Sequence, residues 1–237
     1  MRKDKDAMGL AIADYHRNGV AGRLRVFSPD FDEDEIPVST LFREADEMPR
    51  LELKALELAN GHVLDVGAGA GCHSLALQAM GKQVTAIDIS PLSVATMRKR
   101  GVADAMELDF WRAEGRFNTI LMLMNGIGIV GRLGRLPEFF AHVSGLLAEG
   151  GQILIDSTDI SYLFENEDGV IELPSGDGYY GEMDYQMQYK GTRSDWFGWL
   201  YVDFDTLAAV AAECGFAAEC IARGEHSDYL ARLTPLG

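Results

Sequence analysis

The 237-residue chain reads as an α/β protein on a doubly wound, mostly parallel seven-stranded sheet with an antiparallel edge strand. Three observations predict it. Between residues 49 and 156, short apolar runs alternate with stretches of helical periodicity, the pattern of a parallel sheet covered by helices. The first strong run ends in three alternating glycines that open a helix, a turn suited to ligand binding. Two last apolar runs, at 217–222 and 228–233, are joined by a turn too short for a parallel crossover, so they close the sheet antiparallel.

Residues 1–48 form a polar N-terminal extension, a candidate lid, with an acidic stretch between Pro29 and Pro37. A short helix is expected at 6–16, where Met8, Ile12 and Tyr15 share a face; the rest reads as turns and irregular chain. The core, 49–156, opens with a helix at 49–59 that starts on Pro49, carries Leu51, Ala55, Leu58 and Ala59 inward, and stops at Asn60-Gly61. Strands are expected at 62–66, 83–87, 102–108, 119–124 and 152–156, and helices at 72–80, 91–100 and 136–147. The run at 119–124 is apolar throughout, as in a strand buried on both faces. Residues 157–203 break this rhythm: they are rich in Gly, Tyr, Asp and Trp, with loose alternation at 179–189, and read as an inserted cap over an acceptor site. Residues 204–237 return to the core with a helix at 205–214 and the two closing strands.

With 21 Lys and Arg against 37 Asp and Glu, the formal charge is −16. Such a surface repels phosphate backbones and anionic lipid, which disfavours nucleic acid and membrane partners. The short basic run Arg98-Lys99-Arg100 reads as a solvated helix end. Cys72, Cys214 and Cys220 have neither Cys-x-x-Cys nor His neighbours at ligand spacing, so reduced structural thiols and no metal are expected. No apolar run approaches the roughly 20 residues of a membrane span. The charged start lacks a signal-peptide core, so a cytoplasmic location is expected.

The sharpest signal is Val63-Leu64-Asp65-Val66-Gly67-Ala68-Gly69-Ala70-Gly71. Its G-x-G-x-G spacing differs from the dinucleotide G-x-G-x-x-G, with Cys72 in the last glycine's place. Asp65 just before the turn would repel a pyrophosphate and suits a ligand bearing an amino group. Asp88 ends the second strand about 20 residues on, where an acid can accept both ribose hydroxyls. Ser90 before Pro91 is the better helix cap, which leaves Asp88 free for a ligand.

Asp65-x-Gly67-x-Gly69-x-Gly71 with Asp88 in register resembles the first motifs of class I, Rossmann-like S-adenosylmethionine-dependent methyltransferases, over about residues 60–156. The resemblance implies S-adenosyl-L-methionine as cofactor and S-adenosyl-L-homocysteine as product. It places Asp65, Gly67, Ala68, Gly69 and Gly71 beneath the methionine and ribose, with Asp65 near the amino group. It puts Asp88 on the ribose, Ile89 beside the adenine, and an acid after the third strand on the adenine amino group. Asp109-Phe110 is the choice there, Asp104-Ala105 the rival, and a plain surface Asp an equal reading of either alone. Met124, Asn125 and Gly126 fall at the sulfonium end. Asn125 lacks the Pro-Pro-Tyr that follows it in members acting on DNA bases or Gln side chains, which argues against those acceptors.

Methyl transfer is an in-line displacement that needs a base only if the acceptor must lose a proton. No catalytic residue is assigned; His73, His142 and His226 read as packed or structural. Asp156, Asp159, Tyr162, Glu165, Tyr179, Tyr180, Glu182, Tyr185 and Trp196 interleave rings with carboxylates, a surface for an apolar or cationic small molecule. Each alone reads equally well as hairpin packing. The leading reading is an enzyme that methylates a small-molecule acceptor. A non-catalytic cofactor-binding regulator and a protein methyltransferase remain open, while the glycine spacing argues against a NAD-dependent oxidoreductase.

Overall fold

The computed structural model describes residues 1–174 and 178–237. Helix α1 (Ala7–Asn18) starts where Asp6 accepts from Gly9 N at 2.9 Å and ends at Gly19, whose φ is 72°. The stretch expected to be irregular instead holds two short strands, β1 (Leu24–Phe27) and β2 (Asp34–Ile36). They are too short to hold together alone and persist because β1 pairs with a strand far along the chain. Helix α2 (Arg50–Leu58) buries Leu51, Ala55 and Leu56, and Glu52 with them.

The core follows: β3 (His62–Val66), α3 (Cys72–Ala79), β4 (Gln83–Asp88), α4 (Pro91–Arg100), β5 (Ala105–Glu107), β6 (Phe117–Met122), α5 (Leu136–Leu146) and β7 (Leu147–Thr158), alternating except that only a 3-10 turn (Phe110–Arg112) links β5 to β6. The apolar runs bury on both faces: Val63, Leu64, Val66, Ile120, Leu121, Met122 and Ile153 to Ile155 are all inside. Ser90 does cap α4, accepting from Ser93 N at 2.9 Å, and Pro91 fits the first turn. Beyond β7 come β8 (Glu182–Tyr189), β9 (Thr192–Arg193), β10 (Phe197–Leu200), α6 (Phe204–Glu213), β11 (Phe216–Arg223) and β12 (Asp228–Pro235).

Seven strands form the large sheet in the order β11-β12-β7-β6-β3-β4-β5. β3 to β7 run parallel, and β12 and β11 close one edge by antiparallel pairing. A second, antiparallel sheet has the order β10-β8-β1-β2, with β9 on β8. Residues 1–48 and 157–203 are therefore joined, each giving strands to one small sheet. It is tied to the core where Ser157 Oγ accepts from Val202 N at 3.0 Å and Tyr229 Oη donates to Val202 O at 2.7 Å. Ser90 Oγ also donates to Asp6 at 2.6 Å, fixing α1 to α4. Among the described residues no helix is long and apolar enough to cross a membrane.

Candidate active site

Strands β4 and β5 lie on one side of β3, and β6 and β7 on the other. Ligands bind outside the carboxyl ends of parallel strands at such a reversal of strand order. A cleft of about 1620 Å³ opens there, with the large sheet's loops as floor and the small sheet as roof. A single small-ligand pocket takes ~300–1,000 Å³, so this one has room for two molecules side by side.

The glycine turn is clamped to its neighbour strand, since Gly67 N and Ala68 N both donate to Ile87 O, at 2.9 and 3.1 Å. Gly67 and Gly69 have φ of 68° and 58°, which a side chain resists. A Cβ on Gly69 would meet only Gly67 O at 3.9 Å, so the space beside it is the cleft itself. Asp65, Gly67, Ala68 and Gly69 line the cleft. Gly71 is not among its walls: a Cβ there would stand 2.8 Å from Val102 Cγ2 and 3.1 Å from Met97 Cγ. Its bareness serves the close packing of α3 against α4.

Asp88 faces the turn, but it is not free as expected. Its two oxygens already accept from Ser90 N at 2.8 Å and Gly69 N at 2.9 Å. Burial pushes its carboxyl up to about 6 even against those two bonds. Each oxygen keeps a further acceptor site for a ligand hydroxyl. Asp65 accepts from Ser74 Oγ, and burial raises its carboxyl too.

Ile89 stands at the rim, 43% exposed. Asp109 and Phe110 also line the cleft; Asp109 is exposed and accepts from Trp111 N at 3.0 Å, and His142 Nε2 holds Phe110 O at 2.8 Å. The rival Asp104 precedes β5 and is engaged by Thr85 Oγ1 at 2.6 Å. After β6, Met124 and Asn125 take φ of 63° and 56°, an uncommon conformation that turns the chain under the cleft. It is held by Asp156, which accepts from Met124 N at 3.0 Å and Gly126 N at 3.4 Å. Burial lifts the Asp156 carboxyl to about 7, the backbone N–H groups of Gly126, Asn125 and Met124 opposing and the Glu52 charge adding to it.

Of the interleaved rings and acids, Asp156, Tyr162, Tyr185 and Trp196 line the cleft. Tyr179 and Tyr180 do not; they donate to Asp203 and Asp159 at 2.6 and 2.7 Å, and Glu182 accepts from Leu133 N at 2.8 Å. Glu165 is not in the cleft wall either; its N–H donates to Tyr162 O at 3.2 Å and its backbone bridges to Ile171. His226 lies on the cleft wall rather than in a purely structural turn. Tyr201, 3.5 Å from Tyr185 through their hydroxyls, and Trp199 complete the ring-lined end.

Two further residues, Glu52 and Arg43, emerge from the structure beside His73. Glu52 accepts from Arg43 Nη2 at 2.7 and 2.9 Å and from His73 Nε2 at 2.7 Å, all beside the turn. Burial works against both charges, yet His73 and Arg43 hold Glu52 below its ordinary value, and Cys72 and Glu52 hold His73 well above its own. The one signal in the sequence was an acid among Ala55, Leu56 and Ala59 on the buried face of α2. The basic run also departs from expectation. Arg98 donates to Ala105 O at 2.7 Å and Arg100 to Ala70 O at 2.6 Å, rather than standing in solvent.

The family model for a methyltransferase domain matches residues 63–151. A solved S-adenosylmethionine-dependent methyltransferase from Bacteroides fragilis, in complex with S-adenosyl-L-homocysteine, is 56% identical; the match covers 100% of this chain and 98% of that one, with a TM-score of 0.94. The CcbJ methyltransferase of Streptomyces caelestis is 14% identical over 98% of this chain and 99% of its own, with a TM-score of 0.65, and shares the fold. A ubiquinone biosynthesis O-methyltransferase from Xanthomonas oryzae pv. oryzae is 42% identical over 55 residues, 23% of this chain and 23% of that protein. The chain thus spans under a quarter of the curated relatives it matches. Likeness of the first kind, over the full length of both proteins, settles the family: this chain belongs to the S-adenosylmethionine-dependent methyltransferases.

Proposed function

We propose that the protein methylates a small molecule held under the roof of the small sheet, beside the cofactor. The observation that carries this reading is one cleft with two unlike ends. One end is a glycine turn faced by Asp88; the other is ring-lined, with Tyr185, Trp199 and Tyr201. The roof argues against a macromolecular acceptor, which needs an open groove.

The cofactor, when bound, supplies an electrophilic methyl group on a sulfonium. Asp88 would accept from the ribose hydroxyls, Gly67 to Gly69 would underlie the ribose and methionine, and Asp65 would face the amino group. Asp109 and Phe110 would bracket the adenine with Ile89. The turn Met124, Asn125 and Gly126, locked by Asp156, would border the reacting end. Catalysis then rests largely on alignment and exclusion of water. Where the acceptor brings a proton, Asp156 is placed to take it, and a carboxyl near 7 suits that task. Ring faces with Asp34 on the roof favour an apolar or cationic acceptor. A cytoplasmic setting belongs to the same proposal, supported by three free thiols, Cys72, Cys214 and Cys220.

Calorimetric titration with S-adenosylmethionine, S-adenosylhomocysteine and NAD, for the wild type and Asp88→Ala, tests the cofactor half. Micromolar binding of the two sulfur nucleosides that the variant loses is expected; preference for NAD would overturn the reading. Mass spectrometry of small-molecule pools incubated with methyl-labelled cofactor tests the acceptor half. Label found only in protein or nucleic acid would overturn that part.

A further inference from the structure

Arg43 is remote from the glycine turn in sequence and next to it in space. It follows a short 3-10 turn (Val38–Phe42) in the N-terminal extension, and its side chain is 17% exposed at the cleft wall. One edge of its guanidinium is spent on Glu52. Arg100 ties Phe42, the residue before Arg43, to the turn: it donates to Ala70 O at 2.6 Å and Phe42 O at 3.4 Å, and its guanidinium lies 4.7 Å from the Phe42 ring centre. Arg43 is thus held in place from both sides.

Yet Arg43 Nε is buried without a hydrogen-bond partner, one of two such side-chain atoms among the described residues. The other, Ser93 Oγ, lies inside α4 and is not part of the cleft wall. A buried charged N–H left unpaired is costly, and each such group calls for an explanation. The local charges sharpen the point. Arg43 and His73 share the single carboxylate of Glu52, so the guanidinium is not fully met by it. Asp65 has one side-chain hydrogen-bond donor, the Ser74 hydroxyl, with His73 acting on it only through charge. All four residues line the same end of the cleft. A guanidinium and a carboxylate with hydrogen-bonding capacity to spare match the carboxylate and ammonium of an α-amino acid.

We propose that Arg43, through its Nε–H, anchors the α-carboxylate at the methionine end of the cofactor, while Asp65 meets the neighbouring ammonium. This rests on the cofactor placement proposed above. It makes Arg43 a specificity-determining residue, one that selects the whole cofactor over its adenosine fragment. Because the same segment carries β1 and β2, the bound carboxylate would also brace the roof.

The test compares S-adenosylhomocysteine with 5′-methylthioadenosine, which keeps the adenosine thioether and lacks the amino-acid group. Calorimetry on the wild type should favour S-adenosylhomocysteine by at least about 30-fold. In Arg43→Gln that preference should fall about tenfold or more through loss of S-adenosylhomocysteine affinity alone, with methylthioadenosine binding unchanged. Arg43→Lys keeps a cation for Glu52 but has no Nε–H in the fork, so it should lose the preference while retaining the wild-type melting temperature. Equal weakening of both ligands in the variants, unchanged S-adenosylhomocysteine binding, or no preference in the wild type would overturn the assignment. If the cofactor placement itself is wrong, Asp88→Ala will leave both ligands bound as before, a different signature.

Discussion

The two sheets enclose one cleft with different materials. On the large sheet, the groups that face it come from loops after strands that neighbour one another in the chain. Much of what they present is backbone: the glycine turn, and the left-handed Met124 and Asn125. On the small sheet, strands from residues 24–36 and 182–200 meet across most of the sequence, and they present side chains: Val26, Ile36, Tyr185, Met187 and Trp199. A backbone-built subsite tolerates wide change elsewhere as long as its glycines stay. A side-chain-built subsite can be rewritten one residue at a time. The comparison therefore predicts that cofactor affinity and acceptor turnover are separable.

Asp88→Ala should have the largest effect. On the proposed placement, losing two charge-assisted bonds to the ribose should weaken S-adenosylhomocysteine about 100-fold or more, read by calorimetry. The same carboxylate sets a pH dependence. Its carboxyl titrates at about 6, and the protonated form accepts less well, so affinity should fall as pH drops below that point. The limit is about tenfold per pH unit, and Asp88→Asn should flatten the slope. A wild-type affinity flat from pH 5 to 7 would contradict the placement of Asp88 on the ligand.

Gly128→Ala should do the opposite. A Cβ there would fall inside the Trp199 indole, so the roof must shift while the glycine turn stays as it is. Overpacking of this kind costs ~1–3 kcal/mol. Initial rates should drop about tenfold or more on the acceptor side, with S-adenosylhomocysteine affinity within about twofold. Loss of cofactor binding would show that the two ends are not separable.

Asp156 lies between the two ends and should report on stability. Its folded carboxyl, near 7, lies above its ordinary value of 3.8, so the folded state holds its proton more tightly than the unfolded chain. Its contribution is therefore most favourable below about pH 4 and is lost as pH rises toward 7. Allowing for its partial exposure, thermal melts should lose about 2 kcal/mol across that window, and less in Asp156→Asn. Trp196→Ala is the mildest test. The ring is 52% exposed, so stability should stay within about 0.5 kcal/mol while the acceptor KM rises a few-fold.

The same division explains what could be read in advance. The core strands were legible because burial on both faces forces continuous apolar runs, and the glycines and Asp88 because backbone geometry demands particular residues at particular spacings. Strands β1 and β2 were not: four and three residues, with Arg25, Asp34 and Glu35 among them, carry no pattern of their own and take their order from β8. Asp88 looked free because its bonds go to backbone N–H groups, which a sequence does not display. Arg43 and Glu52 escaped notice because an ion pair between separate segments leaves no trace in either one alone.

The pairing of β1 with β8 also sets an order of assembly. Gly22 N reaches Tyr189 Oη at 3.0 Å across 167 residues of chain. Such a contact must bear its closure entropy before any pairing rewards it, whereas β3 to β7 associate through short crossovers. On a ribosome, then, the seat proposed for the cofactor takes shape while the strands that roof the proposed acceptor end are still unmade. A nascent chain would gain its nucleoside ligand first and its choice of acceptor last.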